Sequence, residues 1–377
     1  MVEWKKLVSV SDVQYGYPFE SSLFSEDSTY IPLIRIRDVK PAKASTYYSG
    51  DILDDYIIKK GDILVGMDGE FNLGKWNDRD GLLNQRVLKL SGRGGICLNG
   101  YLYHYMGPVF KQIEKQTPGG SVKHLSAKII KDIIIPVLSI EEQNRIVGIL
   151  DTFTSSIENL KQQIAERRKQ YKYYRDKLLD LDGKEIKKIG ELTKVFSCPR
   201  VFRDQWQDSG VPFWRSSDVM SYHNKVKNPR GEAFISQSLY EELSKKSEKI
   251  EQGDILVTGG GSIGIPYLKK DSSPLFVKDA DLLCIKKCGS IVPSYLYHFF
   301  FSTDFKLYLK KITHDATIAH YTINQIKDTP IPLPPLSEQQ RIVDTLDKFE
   351  ASIQNLEAQL SQREKQYEYY RNKLLTF

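Results

Sequence analysis

The sequence has few of the features that mark a secreted, membrane-bound or metal-binding protein. Its first residues contain no apolar stretch of the kind found in a secretory signal. No apolar run approaches the ~18 residues that a membrane helix needs. The four cysteines are scattered, and the closest two, Cys284 and Cys288, have no neighbouring histidine or second pair to complete a zinc site. We therefore expect a cytoplasmic protein with no membrane segment, reduced buried thiols and no metal site.

Motifs for cofactor binding and catalysis are also incomplete. The stretch from Gly69 to Trp76 follows a phosphate-loop pattern, but Trp76 stands where a serine or threonine should ligate magnesium. The stretch from Gly259 to Gly264 matches the dinucleotide fingerprint, yet Pro266 prevents the helix that would hold a pyrophosphate. The six histidines are dispersed. The sequence therefore predicts no catalytic residue and no cofactor.

Length and composition are those of an ordinary globular protein with two domains. The chain has 377 residues, of which 40% are hydrophobic and 27% charged. The formal net charge of +6 is mildly basic. A charge of this size permits a nucleic-acid partner without requiring one.

The most informative feature is a segment that occurs twice. From Gln143 to Asp180 the chain aligns without a gap to the segment that starts at Gln339, an offset of 196 residues, with 22 identities in 38 positions. Each copy follows a serine, Ser139 or Ser337, with a glutamate or glutamine three residues later, which is the pattern of a helix start. Duplication of this length indicates that the whole chain consists of two related halves.

Each copy predicts one long helix with a coiled-coil seam. Apolar and aromatic residues recur at alternating steps of three and four, with an arginine filling one gap in each copy. A helix of about 38 residues would be roughly 57 Å long at ~1.5 Å per residue. A stripe this narrow needs a partner helix, and the other copy is available. The predicted seam residues are Ile157, Leu160, Ile164, Tyr171, Tyr174 and Leu178 in the first copy, and Ile353, Leu356, Leu360, Tyr367, Tyr370 and Leu374 in the second.

Each helical repeat follows a segment of mixed strand and helix character. The sequence predicts a first globular domain at residues 1–140, a helical repeat at 141–183, a second globular domain at 184–333 and a second helical repeat at 334–377. Gly61 to Val65 corresponds to Gly253 to Val257, whereas other loops differ between the two segments. A common framework with different loops suggests two domains that do the same work on different targets.

This order of segments predicts an antiparallel arrangement of the two helices. If the halves are related by a pseudo-twofold axis, one helix runs from the first domain to the second, and the other returns. The expected fold is α+β, with two globular domains joined by an antiparallel coiled coil that holds them at a fixed separation.

The two junctions, Pro136 to Ile146 and Pro334 to Ile342, and the Tyr-Tyr-Arg-x-Lys-Leu-Leu helix ends resemble the specificity subunit of type I restriction-modification systems. The resemblance covers essentially the whole chain. It implies two target-recognition domains, each reading half of a bipartite double-stranded DNA sequence, and helices that set the unread gap. It also implies assembly with modification (methyltransferase) subunits, two of them, and with a restriction (translocase and nuclease) subunit, without catalysis by the chain itself.

DNA-contact candidates follow from side-chain chemistry and not from the family. Cations suit phosphates, and amide, hydroxyl or planar groups suit base edges. Such residues cluster in segments with loop character: Arg35, Arg37, Asn72, Lys75, Trp76, Arg79, Ser121, Lys123 and His124 in the first half, and Arg215, Ser217, Lys225, Ser262, Lys269, His320 and Tyr321 in the second.

Two other functional classes remain open at this point. A coiled-coil scaffold or adaptor without sequence-specific DNA binding would also need long paired helices. A methyltransferase fused to its own specificity domains would need a cofactor domain, for which the length leaves no room.

Overall fold

The computed structural model describes residues 2–117, 123–313 and 320–377, and the chain divides into two compact units. The first unit comprises Met1–Lys161 and Ala358–Phe377, and the second comprises Gln162–Glu357. Each unit therefore contains one globular head and half of each long helix. None of the helices in the described ranges is long and apolar enough to cross a membrane.

The first head is built mainly of short strands, with four α-helices among its described residues. The strands are Glu3–Lys6 (β1), Ser11–Tyr15 (β2), Phe24–Ser25 (β3), Ile31–Ile34 (β4), Tyr47–Tyr48 (β5), Ile57–Ile58 (β6), Ile63–Gly66 (β7), Leu73–Lys75 (β8), Gly81–Leu83 (β9), Val87–Gly92 (β10) and Ile134–Val137 (β11). The helices are Leu7–Val10 (α1), Ile36–Val39 (α2), Asn99–Gln116 (α3) and Ala127–Asp132 (α4), and the first long helix, Ile140–Leu178 (α5), follows.

The second head repeats this plan. Its strands are Ile186–Lys188 (β12), Val195–Ser197 (β13), Val211–Trp214 (β14), Phe234–Ile235 (β15), Ile255–Thr258 (β16), Pro266–Leu268 (β17), Phe276–Val277 (β18), Leu282–Ile285 (β19) and Pro330–Pro332 (β20). Its helices are Ile189–Leu192 (α6), Ser216–Asn224 (α7), Gln237–Lys246 (α8), Pro293–Phe299 (α9), Thr303–Thr313 (α10) and Ile323–Asp328 (α11), followed by the second long helix, Leu336–Leu375 (α12).

Sheet topology shows that the two heads are built alike. The first has an antiparallel sheet in the order β2-β10-β7-β8, and the second has the order β13-β19-β16-β17. Each head also has a second sheet with one parallel pair, β4 with β9 or β14 with β18. The first and last strands of each head pair with each other, β1 with β11 and β12 with β20. These second sheets differ between the heads, with the order β3-β5-β4-β9-β6 in the first and β15-β14-β18 in the second.

The main core of each head extends onto the long helices. In the first unit, Ile146 and Leu150 of α5 are buried with Tyr101 and Phe110 of α3, and Tyr367 of α12 packs against them. The second unit has the equivalent core, in which Ile342, Val343 and Leu346 of α12 join Tyr295 of α9. Because each core needs residues from both long helices, head and helices fold as one structure.

Pairing of the long helices is antiparallel within each unit. In the first unit, Phe153 of α5 stacks on Tyr370 of α12, while Lys161, further along α5, faces Glu364, earlier in α12. In the second unit, Arg168 contacts Glu357 and Tyr174 stacks on Phe349. Residue numbers rise on one helix as they fall on the other, which confirms the predicted antiparallel direction.

Burial along the seam is uneven. Ile157 and Ile164 are buried, and Tyr174 and Tyr370 are 43% and 39% exposed although each stacks on a phenylalanine. The remaining eight predicted seam residues are half-buried: Leu160, Tyr171, Leu178, Ile353, Leu356, Leu360, Tyr367 and Leu374. Four of these eight, Tyr171, Leu178, Tyr367 and Leu374, also pack against the cores of the heads.

Candidate nucleic-acid interface

Two arginines of the first head are held in fixed orientations at its surface. Arg37 is exposed, and its guanidinium donates to Ser45 Oγ at 2.9 Å and to Thr46 Oγ1 at 2.6 Å. Arg79 is also exposed, donates to the carbonyl oxygens of Tyr30 (2.6 Å) and Ser28, and lies over the Tyr47 ring. Anchoring reduces the conformational entropy that each side chain would lose on contacting DNA.

Three other polar residues predicted in this head differ in how exposed they are. Lys75 is exposed at the end of β8. Arg35 is half-buried with its guanidinium over the Phe24 ring, and Asn72 is half-buried in the turn between β7 and β8. Lys75 is therefore the exposed residue of these three.

A charged cluster surrounds His124. Its Nδ1 lies 2.5 Å from Asp68 Oδ1, and the other oxygen of this carboxylate lies 3.4 Å from Arg86, which was not among the predicted residues. Lys123 is half-buried because its ammonium donates to the carbonyl of Glu114 at 2.6 Å. Ser121 lies outside the described residues. The cluster presents two partly exposed donors, His124 and Arg86, on one carboxylate.

Trp76 is a correction to the sequence-based prediction. Its side chain is 1% exposed and packs with Ile34, Val39 and Leu64, and its indole Nε1 donates to the Arg79 carbonyl at 2.9 Å. A buried and satisfied indole is a core residue and cannot contact DNA without unfolding its surroundings.

Lys269 is corrected for the same reason, and it occupies the matching place in the second head. The backbone N–H of Trp76 donates to the Asp62 carbonyl at 2.8 Å, and that of Lys269 donates to the Asp254 carbonyl at 3.0 Å. Lys269 is 2% exposed, and its ammonium binds Asp271. This contact lowers the pKa of the Asp271 carboxyl to about 2. Lys269 is therefore an internal cation with a partner.

Arg215 and Tyr321 are also interior residues. Arg215 is 6% exposed, forms a two-bond ion pair with Asp218 and lies over the Trp206 ring. Tyr321 is 1% exposed, and its hydroxyl binds that of Thr329. A buried Arg–Asp pair stabilises a local turn and offers no free guanidinium edge to a base or phosphate.

The remaining predicted residues of the second head are more accessible. Ser262 and His320 are exposed, and Ser217 is half-buried with its hydroxyl accepting from Asn228. Lys225 is exposed, but its ammonium lies 2.6 Å from Glu357 of α12. Binding of Lys225 to a phosphate would have to compete with this ion pair.

A buried glutamine at each helix junction was not among the predicted residues, and it explains why the junction sequence is repeated. Gln143 is fully buried, its amide donates to the carbonyls of Ile96 and Leu138, and its oxygen accepts from Leu98 N–H. Gln339 makes the same three bonds in the second unit. These amides attach the start of each long helix to its head. The sequence signal for them was that both glutamines occupy the same position of the repeat.

A second missed feature is a buried histidine between each head and its helices. In the first unit, His104 of α3 lies 2.8 Å from Asp151 of α5 and 3.0 Å from the hydroxyl of Tyr367 of α12. Burial lowers the pKa of His104 despite the nearby carboxylate, so the imidazole is neutral near pH 7. The signal was the tetrapeptide Tyr-Leu-Tyr-His, which the sequence contains at 101–104 and again at 295–298.

The equivalent histidine in the second unit has an additional carboxylate. His298 Nε2 lies 2.8 Å from Asp347, and Nδ1 lies 3.0 Å from the Tyr171 hydroxyl and 3.8 Å from Glu350. One ligand atom from each of His298, Asp347 and Glu350 lies within 4.8 Å of the others, a spacing that suits a metal ion. However, Asp347 occupies one ring nitrogen while Tyr171 and Glu350 face the other, so the arrangement is that of a hydrogen-bonded junction.

Comparison with known proteins agrees with this architecture. A family model described as the type I restriction modification DNA specificity domain matches residues 1–167 and again residues 182–364. A putative type I restriction enzyme specificity subunit of Haemophilus influenzae is 29% identical, covering 100% of this chain and 96% of its own. The type I restriction enzyme EcoBI specificity subunit of Escherichia coli is 26% identical, covering 94% and 80%.

A solved structure has the same fold. The S subunit of a type I restriction-modification system from M. genitalium superposes with a TM-score of 0.65 at 16% identity, covering 100% of this chain and 96% of that one. The two consecutive family matches coincide with the duplicated head-and-helix plan. The chain therefore belongs to the family of the type I restriction modification DNA specificity domain.

Proposed function

We propose that this protein is the sequence-reading, non-catalytic subunit of a type I restriction-modification complex. The heads, at residues 1–140 and 184–333, are the target-recognition domains, and each reads one half of a bipartite double-stranded DNA sequence. The helical repeats at 141–183 and 334–377 set the unread gap. The observation that carries the proposal is the duplicated framework with unlike polar loops, because it supplies two readers with different specificities.

The DNA-contacting surface is proposed to include the exposed polar residues of each head. These are Arg37, Lys75, Arg79 and His124 in the first head, and Ser217, Lys225, Ser262 and His320 in the second. The remaining N–H groups of these anchored arginines suit single contacts to a phosphate or a base acceptor, whereas the lysines suit phosphates. The net charge of +6 is small for a chain that would follow a long duplex. Partner subunits therefore supply many of the phosphate contacts.

The partners follow from the proposed role. The chain binds modification (methyltransferase) subunits, two in number to match the two heads, and a restriction subunit joins through the complex. A solved structure with a TM-score of 0.56 to this chain carries a title on complex assembly and conformational transition of the type I R-M system. We place the complex in the cytoplasm, where it acts on cellular DNA.

Selection of bound duplexes from a random pool tests the proposal. The chain together with its methyltransferase partner is expected to enrich one split motif with a constant gap. A protein-binding scaffold with the same helices would enrich no motif. Enrichment of one continuous motif would contradict the assignment of two separate readers.

A further inference from the structure

The two helical repeats differ in charge at two positions where α5 and α12 face each other. Within the 22-identity repeat, Lys161 of α5 corresponds to Glu357 of α12, and Arg168 corresponds to Glu364. Both differences reverse the charge in the same direction. Lys161 and Arg168 are seven residues apart, and each follows a seam residue, Leu160 or Arg167, by one position. This is the flanking position at which coiled coils select partners.

Each of these residues contacts an opposite charge on the other helix. In the first unit, Lys161 Nζ lies 3.7 Å from Glu364 Oε1. In the second unit, Arg168 lies 2.7 Å from Glu357 Oε1. Both contacts join α5 to α12, and both match a basic α5 with an acidic α12.

Replacing one helix by a second copy of the other would bring like charges together. If a second α5 took the place of α12, position 364 would hold Arg168 of that copy, facing Lys161. If a second α12 took the place of α5, position 168 would hold Glu364 of that copy, facing Glu357. A symmetric pair contains each contact twice, so a pair of identical helices has two repulsions where α5 with α12 has two attractions.

The aromatic contacts between the two helices do not make this distinction. Arg167 lies over the Phe349 ring in the second unit, and Arg363 lies over the Phe153 ring in the first. The stacking of Tyr174 and of Tyr370 on a phenylalanine is equally repeated. Because these residues are identical in the two copies, pairs of like helices would keep all of these contacts.

We propose that the four charges at 161, 168, 357 and 364 are a pairing code, which makes each half of the chain select the complementary half and reject a second copy of itself. The surface formed by α5 fits an acidic helix of the α12 type, and the surface formed by α12 fits a basic helix of the α5 type. Exposed ion pairs are individually weak, so the code acts by choosing among partners whose apolar seams are nearly alike, with Ile164 against Leu360 as the one difference among the predicted seam residues.

A chain that is cut after folding tests this proposal directly. A protease site is inserted after Gly183, an exposed glycine with a φ of +69° between α5 and β12. The full chain folds, is cleaved and keeps all its residues. Two preparations whose first fragments carry different tags are mixed and allowed to exchange. Native mass spectrometry and capture on one tag then measure how much of the other tag is bound.

With the natural charges, the first fragment is expected only with the second fragment. The Lys161→Glu variant makes α5 self-complementary, because the new carboxylate faces Arg168 of another copy, and it opposes Glu364. Capture of one first fragment by the other should rise about tenfold, the effect of a few exposed ion pairs. Adding Glu364→Lys should restore pairing with the second fragment.

Lys169→Glu is the matched control, because it changes the same charge at an exposed position of α5 next to Arg168. It is expected to leave fragment exchange unchanged. Three outcomes would each overturn the pairing code. In the first, a first fragment with the natural charges captures the other first fragment as readily as it captures the second fragment. In the others, Lys161→Glu and Lys169→Glu have the same effect, or the Lys161→Glu fragments separate without pairing with themselves.

Discussion

At the scale of single residues, side-chain chemistry identified candidates and burial sorted them. Lys75 and Trp76 are neighbours in sequence, yet the first is exposed and the second is 1% exposed. Lys269 and Arg215 are cations, yet both are paired inside the second head. A residue type therefore suggests what a side chain can bind, whereas its surroundings decide whether DNA can reach it.

Substitution of the two neighbours should separate DNA binding from stability. Lys75→Ala is expected to weaken DNA binding at all sequences and to reduce the slope of log affinity against log salt by about one, because one phosphate contact is lost. Trp76→Ala should instead lower the free energy of unfolding by about 3–5 kcal/mol, because it empties a core position. Binding titrations at several salt concentrations and urea denaturation measure the two effects. A salt slope that is unchanged by Lys75→Ala would remove this lysine from the interface.

The buried His104 predicts that the first unit is less stable in acid. Its pKa in the folded state is below the ordinary value of 6.5, so the unfolded chain binds the proton more readily. The stabilisation by neutral His104 is present above pH 6.5 and is lost as pH falls through the folded pKa. Urea denaturation between about pH 5 and 8 should show this loss, and His104→Gln should flatten the profile in that range. An identical profile for the variant would mean that other groups cause the pH dependence.

At the scale of elements, the long helices serve both the heads and each other. Gln143 and Gln339 attach each helix start to a head, and His104 and His298 bind both helices where they pack beside the head. Beyond these junctions, the narrow seam and the flanking charges hold the pair together. Direction and register of the helices are therefore set at several independent points.

Insertions in the helices test whether they set the gap in the DNA target. A seven-residue insertion preserves the seam period, and at ~1.5 Å per residue it adds about 10 Å, equivalent to roughly three base pairs. Matched insertions in the middle of α5 and α12 should lengthen the selected gap by that amount. An insertion in α5 alone should shift half of the seam out of register and lower the melting temperature. A constant gap after matched insertions would show that the helices do not determine it.

At the scale of the whole molecule, duplication with divergence produces two readers in one chain. The heads share the strand order of their four-stranded sheets, the junction glutamines and the buried histidines, and their second sheets differ, with five strands in the first head and three in the second. The repeated framework accounts for assembly, and the loops account for two different half-sites.

Exchange of one head should therefore change one half-site. Replacing residues 1–135 by the same region of another family member leaves β12 to β20 and both long helices in place. Selection from a random duplex pool is expected to return a new first half-site and the original second half-site at the same spacing. Changes in both half-sites would show that the heads do not read independently.

The amino-acid sequence by itself determined the duplicated helices, their pairing direction and the two-domain plan. These features depend on local periodicity and on self-similarity, which are properties of the chain alone. The short helix α2 has no signal of its own in the sequence: β4 ends at Ile34, and the Asp38 carboxylate then accepts from Arg35 N–H at the start of α2. Tertiary structure alone decided which polar side chains face water, as Trp76 and Lys269 show. Burial depends on which strands and helices stack over a residue, and this information is distributed over segments far apart in the sequence.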